Sequence, residues 1–471
     1  MKTAIAAAGA SQPSDSVTAA RLWRGLRARA WFNLNDRRRR AELLWTIAAM
    51  GLQISGQIAL VKLLTARMYP AEYGVFGLFS AAVQLLEQVF FMPFIQGAIR
   101  LAPTGAHGQV SIGPFRAVRG YWGRLAVLAL LASLMAGLSA WYLGYHGYAL
   151  LAWGVSLLLA AELRREYWMG IAAVGRLRST MAFVYGADSW GRCFICFIAL
   201  AYFPRIAVVA VVVLILVSAF TGQIAERIMR RRMPSFVQMG PGFEDPATRA
   251  HMWEFAAPWA TISACVWGQR FADRWIVALV ISTYAAGLYI GAAQLGVVIF
   301  QSLSVLGISF AAPILYHEMA RGVQAGSLVR VRRLLLATHA TYWGLGLVGV
   351  MLLAAFRRLA VHLLLGPQYS DTVAIVVIIA IGSLIQNGSQ MHVLSVMVTG
   401  HTKCLLLPEI ASGVAALGLD FRLVRHDGIV GAAYALVITA MLRTALMAWA
   451  SARAWRKNPL VLPAPLAEGC S

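Results

Sequence analysis

The chain has 471 residues, 60% of them hydrophobic and 13% charged, with a mean hydropathy of +0.68. That balance excludes an ordinary water-soluble protein, because the apolar surface is more than one soluble core can bury. Lys and Arg (41) outnumber Asp and Glu (19) by 22, and in so apolar a chain the excess has to be read against membrane topology before nucleic acid is considered.

Residues 1–41 combine Ala, Ser, Pro and arginines with no sustained apolar run, so they read as a basic cytosolic tail, with an interfacial helix expected around Trp23 to Phe32. Twelve apolar windows follow, at about 43–65, 74–98, 122–143, 148–163, 181–202, 206–224, 252–276, 286–313, 334–355, 372–398, 402–420 and 429–452. Most of them have the roughly 20 residues that a helix needs to cross a bilayer. The expected fold is therefore an all-α polytopic membrane protein of about twelve transmembrane helices. The expected divisions are a first six-helix half at 42–226, a cytosolic linker at 227–251, a second half at 252–453 and a cytosolic tail at 454–471. Five cysteines, Cys193, Cys196, Cys265, Cys404 and Cys470, are an odd number, and four sit in or beside apolar stretches. A disulfide framework is not expected.

Charge orients the chain. With both termini in the cytoplasm, the inner connections collect 30 Lys and Arg, from the tail, Arg100 to Arg124, Arg164 to Arg178, Arg227 to Arg249, Arg321 to Arg333, Lys403 and the C-terminal end. The outer connections hold 7: Arg67, Arg205, Arg274, Arg357, Arg358, Arg422 and Arg425. This asymmetry is the positive-inside pattern. The outer connections are short, leaving no room for the large catalytic loop of a membrane glycan polymerase or ligase.

The two halves echo each other. Gly56-Gln57 precedes Gly74-Val75-Phe76 by 18 residues, and Gly268-Gln269 precedes Gly287-Leu288-Tyr289 by 19. Parallel repeats of this kind are common in transporters.

The segment from Arg67 through Pro70-Ala71-Glu72-Tyr73-Gly74 to Leu78 resembles the Arg-Leu-Leu-Gly-Pro-Glu-Glu-Tyr-Gly pattern of bacterial polysaccharide and O-antigen flippases, with Met68-Tyr69 in place of Leu-Gly. These belong to the multidrug, oligosaccharidyl-lipid and polysaccharide exporter superfamily. Asp273-Arg274 followed by Gly287-Leu288-Tyr289, Gly366-Pro367-Gln368-Tyr369, and Gly428 to Ala433 are similar to later motifs of that family, in its order. The resemblance implies two six-helix halves around a central cavity. It also implies translocation of an undecaprenyl-diphosphate-linked oligosaccharide across the inner membrane by alternating access, for cell-surface O-antigen or exopolysaccharide synthesis. The expected partners are the polyprenyl-diphosphate-linked glycan, membrane lipids, and the pathway's glycosyltransferases and polymerase, with no nucleic acid. A small-molecule efflux antiporter of the same superfamily has the same layout. The Pro and Gly of these motifs read equally as turn and packing residues.

Ionisable groups inside spans cost several kcal/mol unless they face a cavity or a partner, which makes them the functional candidates. Lys62 and Arg274 each follow their Gly-Gln by six residues, so the repeat puts them at matching places in the two halves. With Arg270 they can hold a diphosphate, Asp273 shielding Arg270; snorkelling to the interface is the competing reading for Lys62 and Arg274. Gln84, Glu87 and Gln88 form a polar stripe on the second span. Burial favours a carboxyl's neutral form, so Glu87 is a candidate carrier of a coupling proton, or a helix-to-helix hydrogen bond. Asp188 and Arg192 are spaced as an intrahelical pair. Trp259, Asn387 and Gln390 are candidate sugar contacts, with interface and packing roles as alternatives.

No Walker A, H-E-x-x-H or G-x-S-x-G pattern occurs. Gly344 to Gly349 spells G-x-G-x-x-G but lies within a span with no strand before it. Neither an enzyme, a cofactor nor a bound metal is expected, and an H+ or Na+ gradient is the candidate driving force.

Overall fold

The computed structural model describes residues 37–102, 113–175, 177–232, 246–320, 327–399 and 401–456. The expected tail helix at Trp23 to Phe32 and Cys470 lie outside them. The chain divides into two compact units, Met1–Trp45 and Thr46–Ser471, and everything below concerns the second, apart from the opening turns of the first helix.

Every element among the described residues is helical. In chain order the long helices are α1 (Arg37–Arg67), α2 (Pro70–Leu101), α3 (Gly113–Tyr142), α4 (His146–Val174), α5 (Arg178–Tyr202) and α6 (Ala207–Arg232). They continue with α7 (Pro246–Val280), α8 (Thr283–Ala320), α9 (Ser327–Ala355), α10 (Val373–Val398), and α11 and α12, which run from 406 to 456 as one segment broken at Gly428. A short helix, Arg357–Leu364, lies between α9 and α10.

Ten segments are long and apolar enough to cross a membrane by length and composition. The last of them contains both α11 and α12, because Gly428 at φ 62° turns the chain out of helical geometry. Adding α7, 35 residues long and less hydropathic because it carries Glu254, Arg270, Asp273 and Arg274, gives the twelve crossings read from hydropathy. One window was too short. Its limit at 163 reads the charges of Arg164, Arg165 and Glu166 as a connection, whereas α4 continues to Val174 and buries Arg165 at 8% exposure. Arg165 therefore leaves the tally of inner charges and Arg274, 2% exposed within α7, leaves that of outer ones, without altering the sign of the excess.

Local sequence sets several ends. Pro70 opens α2 at its first position, where the missing N–H costs nothing, behind an extended Tyr69. Pro93 withdraws a donor lower in α2, and the helix widens just before it into a π-turn, Glu87–Phe91. Glu72 Oε2 accepts the Ala207 backbone N–H at 2.8 Å, capping the start of α6.

The principal packing is α3 and α6 on α4, with α5 on α6, in the first half, and α8, α11 and α12 with α10, and α7 with α11 and α12, in the second. α2 bridges to α8 at one end and to α7 at the other. At the first crossing a Cβ on Gly74 would stand 2.1 Å from the Thr283 carbonyl oxygen, and one on Gly287 would stand 1.7 Å from that of Pro70. Each glycine fits against the residue four positions before the other, so the faint repeat is a reciprocal contact between equivalent helices. Gly56 and Gly268 are not equivalent: Gly56 presses on Ser189, whereas Gly268 has open space.

Candidate functional site

A cavity of about 380 Å3 lies below the α2–α8 crossing. α1 lines it with Gln53, Gln57, Leu60 and Leu64, and α2 with Tyr73, Phe76, Ser80 and Gln84. α8 adds Gln294, Val297, Gln301 and Ser302, while Glu162 of α4, Arg192 of α5 and Phe271 and Arg274 of α7 complete the wall. The polar residues recur at helical spacing, Gln53 with Gln57, Ser80 with Gln84, and Gln294 with Gln301, so whole faces are amide-rich. Side-chain amides both donate and accept, which suits a ligand rich in hydroxyls.

Arg274 is the exceptional group. It is 2% exposed, stacks over the Phe271 ring at 4.6 Å, and has no carboxylate within ion-pair distance among the described residues. Its Nε has no hydrogen-bond partner. Asp273, its neighbour in sequence, is engaged elsewhere: Oδ2 accepts from the Tyr289 hydroxyl at 2.6 Å and Oδ1 from the Arg274 backbone N–H at 2.7 Å. Asp273 therefore does not shield Arg270 as the i,i+3 spacing suggested. Arg270 points into a niche of about 30 Å3 that also contains Arg274, Gln386 and Asn387, and its Nη2 donates to Asn387 Oδ1 at 3.4 Å.

Lys62 does not join these arginines. Its Nζ reaches the His362 carbonyl oxygen at 3.4 Å, on the short helix, and it does not line the cavity. A matching place in the repeat brought the two cations to different surroundings, because Lys62 lies close to the end of α1 and extends toward that end. Trp259 packs by Phe255, with ring centroids 6.2 Å apart, and neither it nor Gln390 lines either space.

The opposite wall carries a network that is only partly legible in sequence. Asp188 pairs with Arg192 at 3.0 Å, as their spacing suggested. Asp188 also takes Arg165 at 2.7 Å and the Thr221 hydroxyl at 3.1 Å, while Arg192 takes Glu162 at 2.8 Å and donates to Ser218. Glu166 holds Arg165 at 3.1 Å and the Tyr185 hydroxyl at 3.0 Å. Glu87, at the head of the π-turn, interacts electrostatically with Glu162, Glu166, Arg165 and Arg192. Four carboxylates thus share two guanidinium groups. Glu162, Arg165 and Glu166 stand at helical spacing, a signal hidden by reading charge as the end of a span. In the second half, Arg443 and Glu409 form a bidentate pair at 2.6 and 3.0 Å, supported by Gln269 and Ser389. Neither residue lines the cavity.

The motif residues gather above it. Tyr73 and Tyr369 meet edge to face at 6.3 Å, a Cβ on Gly291 would enter the Tyr369 ring, and Gln368 Nε2 donates to the carbonyls of Thr65 and Met68. They close the end of the molecule at the α1–α2 turn.

No protein-family model matches the sequence, and no curated protein matches it. Solved structures do. The lipid II flippase MurJ in an inward closed conformation superposes with a TM-score of 0.67 at 11% identity, over 86% of this chain and 87% of that one. The fold is the one that flippase has. An inward-facing multidrug resistance MATE family transporter of the MOP superfamily gives 0.57 at 13% identity, covering 88% of this chain and 95% of that chain. An outward-facing one gives 0.55 at 14%, covering 88% and 96%. At these identities the likeness concerns architecture: twelve membrane-spanning helices in two halves around a cavity.

Proposed function

We propose that this protein is a transporter that moves a polyprenyl-diphosphate-linked oligosaccharide from the cytoplasmic to the outer leaflet, as a flippase of surface-polysaccharide synthesis. The observation that carries the reading is Arg274, a buried guanidinium with no carboxylate partner at the wall of an amide-rich cavity. An isolated buried cation is costly and is tolerated where a ligand supplies the counter-charge. A diphosphate meets its fork geometry, and Gln53, Gln57, Gln294 and Gln301 suit sugar hydroxyls. The fold shared with a lipid II flippase supports the same class of cargo.

Arg274→Ala is expected to lower translocation of a labelled undecaprenyl-diphosphate glycan in vesicles about tenfold or more, the loss of one charged contact, with Arg274→Lys intermediate. Wild-type flipping by Arg274→Ala overturns the reading.

A second reading, efflux of small cations, has its own support in Glu162, a carboxylate on the cavity wall, and in the carboxylate excess behind it. Accumulation of a cationic dye in inverted vesicles, unaffected by Arg274→Ala, would favour it.

Energy coupling is assigned to Glu87. Its carboxylate adds to a cluster that already exceeds its cations, so carriage of H+ or Na+ there relieves a net negative charge. Glu87→Gln is expected to make translocation indifferent to an imposed pH gradient, and a wild-type rate that ignores the gradient refutes the assignment.

A further inference from the structure

A second cavity, of about 500 Å3, opens at the end of the molecule where α1 meets α2, apart from the space that holds Arg274. The short helix Arg357–Leu364 supplies Arg357, Arg358 and His362, and the segment that leads into α10 supplies Gly366, Ser370 and Asp371. The helix has two faces. Val361 is buried, while Leu359 and Leu363, at i,i+4, are 59% and 62% exposed, next to Phe356 at 57%. Exposed apolar side chains on a membrane-embedded molecule meet acyl chains, and a short helix with such a face and adjacent cations lies in the headgroup layer.

The charges of the pocket do not balance. Neither Arg357 nor Arg358 has an ion pair or hydrogen bond among the described residues, and the only carboxylate in the lining is Asp371. Two adjacent, exposed guanidinium groups against one carboxylate leave an excess of one positive charge, and the five N–H donors on each fork have no protein partner among the described residues. We propose that this pocket binds the phosphodiester of an anionic glycerophospholipid of the phosphatidylglycerol class. Arg357 and Arg358 take the phosphate, Ser370 and Asp371 accept the glycerol hydroxyls, and the acyl chains run along Leu359, Leu363 and Phe356. A zwitterionic headgroup leaves the excess in place.

The pocket is also tied to the closed end of the transporter. Lys62 holds the His362 carbonyl, and Gln368 holds those of Thr65 and Met68, so one chain segment carries both the lipid pocket and the contact with the end of α1.

The test is thermal unfolding of the purified full-length protein in neutral detergent, titrated with dihexanoyl phosphatidylglycerol, dihexanoyl phosphatidylcholine or inorganic phosphate. Phosphatidylglycerol is expected to raise the midpoint, and the other two are not. The R357Q/R358Q double variant should need about a hundredfold more lipid for the same shift, the loss of two charged contacts at about tenfold each. Ala374→Trp, which fills the pocket and keeps both charges, should do likewise and decides the matter alone if the double variant does not fold. An unchanged phosphatidylglycerol titration in these variants overturns the proposal. So does an equal response to phosphatidylcholine, and an equal response to inorganic phosphate makes the pocket a soluble-anion site instead.

Discussion

Arg274 and Arg443 are the same side chain in the same half of the molecule, 2% and 1% exposed, with opposite surroundings. Arg443 spends its donors on Glu409, Ser389 and the Gln386 carbonyl, whereas Arg274 stacks on an aromatic face and feels Asp273 through space without a direct ion pair. Removing one partner of a buried pair strands the other charge, at a cost of about 3–5 kcal/mol. Arg443→Met and Glu409→Gln should therefore each lower the unfolding midpoint in detergent clearly. Arg274→Met should lower the midpoint less than Arg443→Met does while abolishing transport, because Arg274 has no direct ion pair and loses only the through-space attraction of Asp273. A large loss of stability in Arg274→Met would mean that the residue is structural. In sequence Arg443 is a single cation in its apolar window and Arg274 shares its window with Arg270 and Asp273, but neither pattern tells which of them has an ion-pair partner.

The α2–α8 crossing is where helix geometry brings the two halves into backbone contact. Gly74 and Gly287 let the two backbones touch, and any side chain on Gly287 would collide with the Pro70 carbonyl. Gly287→Val should hold this end open. A cysteine placed at Gln57, on the cavity wall, should then react with a membrane-impermeant maleimide applied from that side, and remain protected when Gly287 is intact. Equal labelling in both would mean that the crossing is not the seal. Gln368→Ala removes two hydrogen bonds that bind the α10 segment to the end of α1 and should raise the same labelling more modestly. A different test applies at Gly428, where φ of 62° with ψ of −139° is a conformation that favours glycine and costs a larger residue roughly 1–3 kcal/mol, so Gly428→Ala should lower the unfolding midpoint. The glycines of the motifs were legible as packing residues. Their partners were not, since nothing in the spacing says that Gly74 meets Thr283 and Gly287 meets Pro70.

At the scale of the whole molecule, the distribution of Lys and Arg predicts both termini on the cytoplasmic side, and the excess survives the removal of Arg165 and Arg274. Reporter fusions at Ser471 should behave as cytoplasmic, and reporters inserted between Ala355 and Arg357 as external. A reversed pattern would turn the proposed direction of transport around. Length, hydropathy and charge alone determined the all-α membrane class and the twelve crossings, because a bilayer demands an unbroken apolar helix of fixed length for each passage and that requirement is written locally. The same local rules failed where charge was compensated from a distance. α4 runs past its expected end because Asp188 of α5 neutralises Arg165 and Glu162 meets Arg192, and those partners are separated by 23 and 30 positions in the chain. Lys62 and Arg274 share a place in the repeat yet have different environments, since the direction a side chain takes depends on what the neighbouring helices leave open. Which cations lack an ion pair is a property of contacts between helices, and the tertiary structure alone decided it.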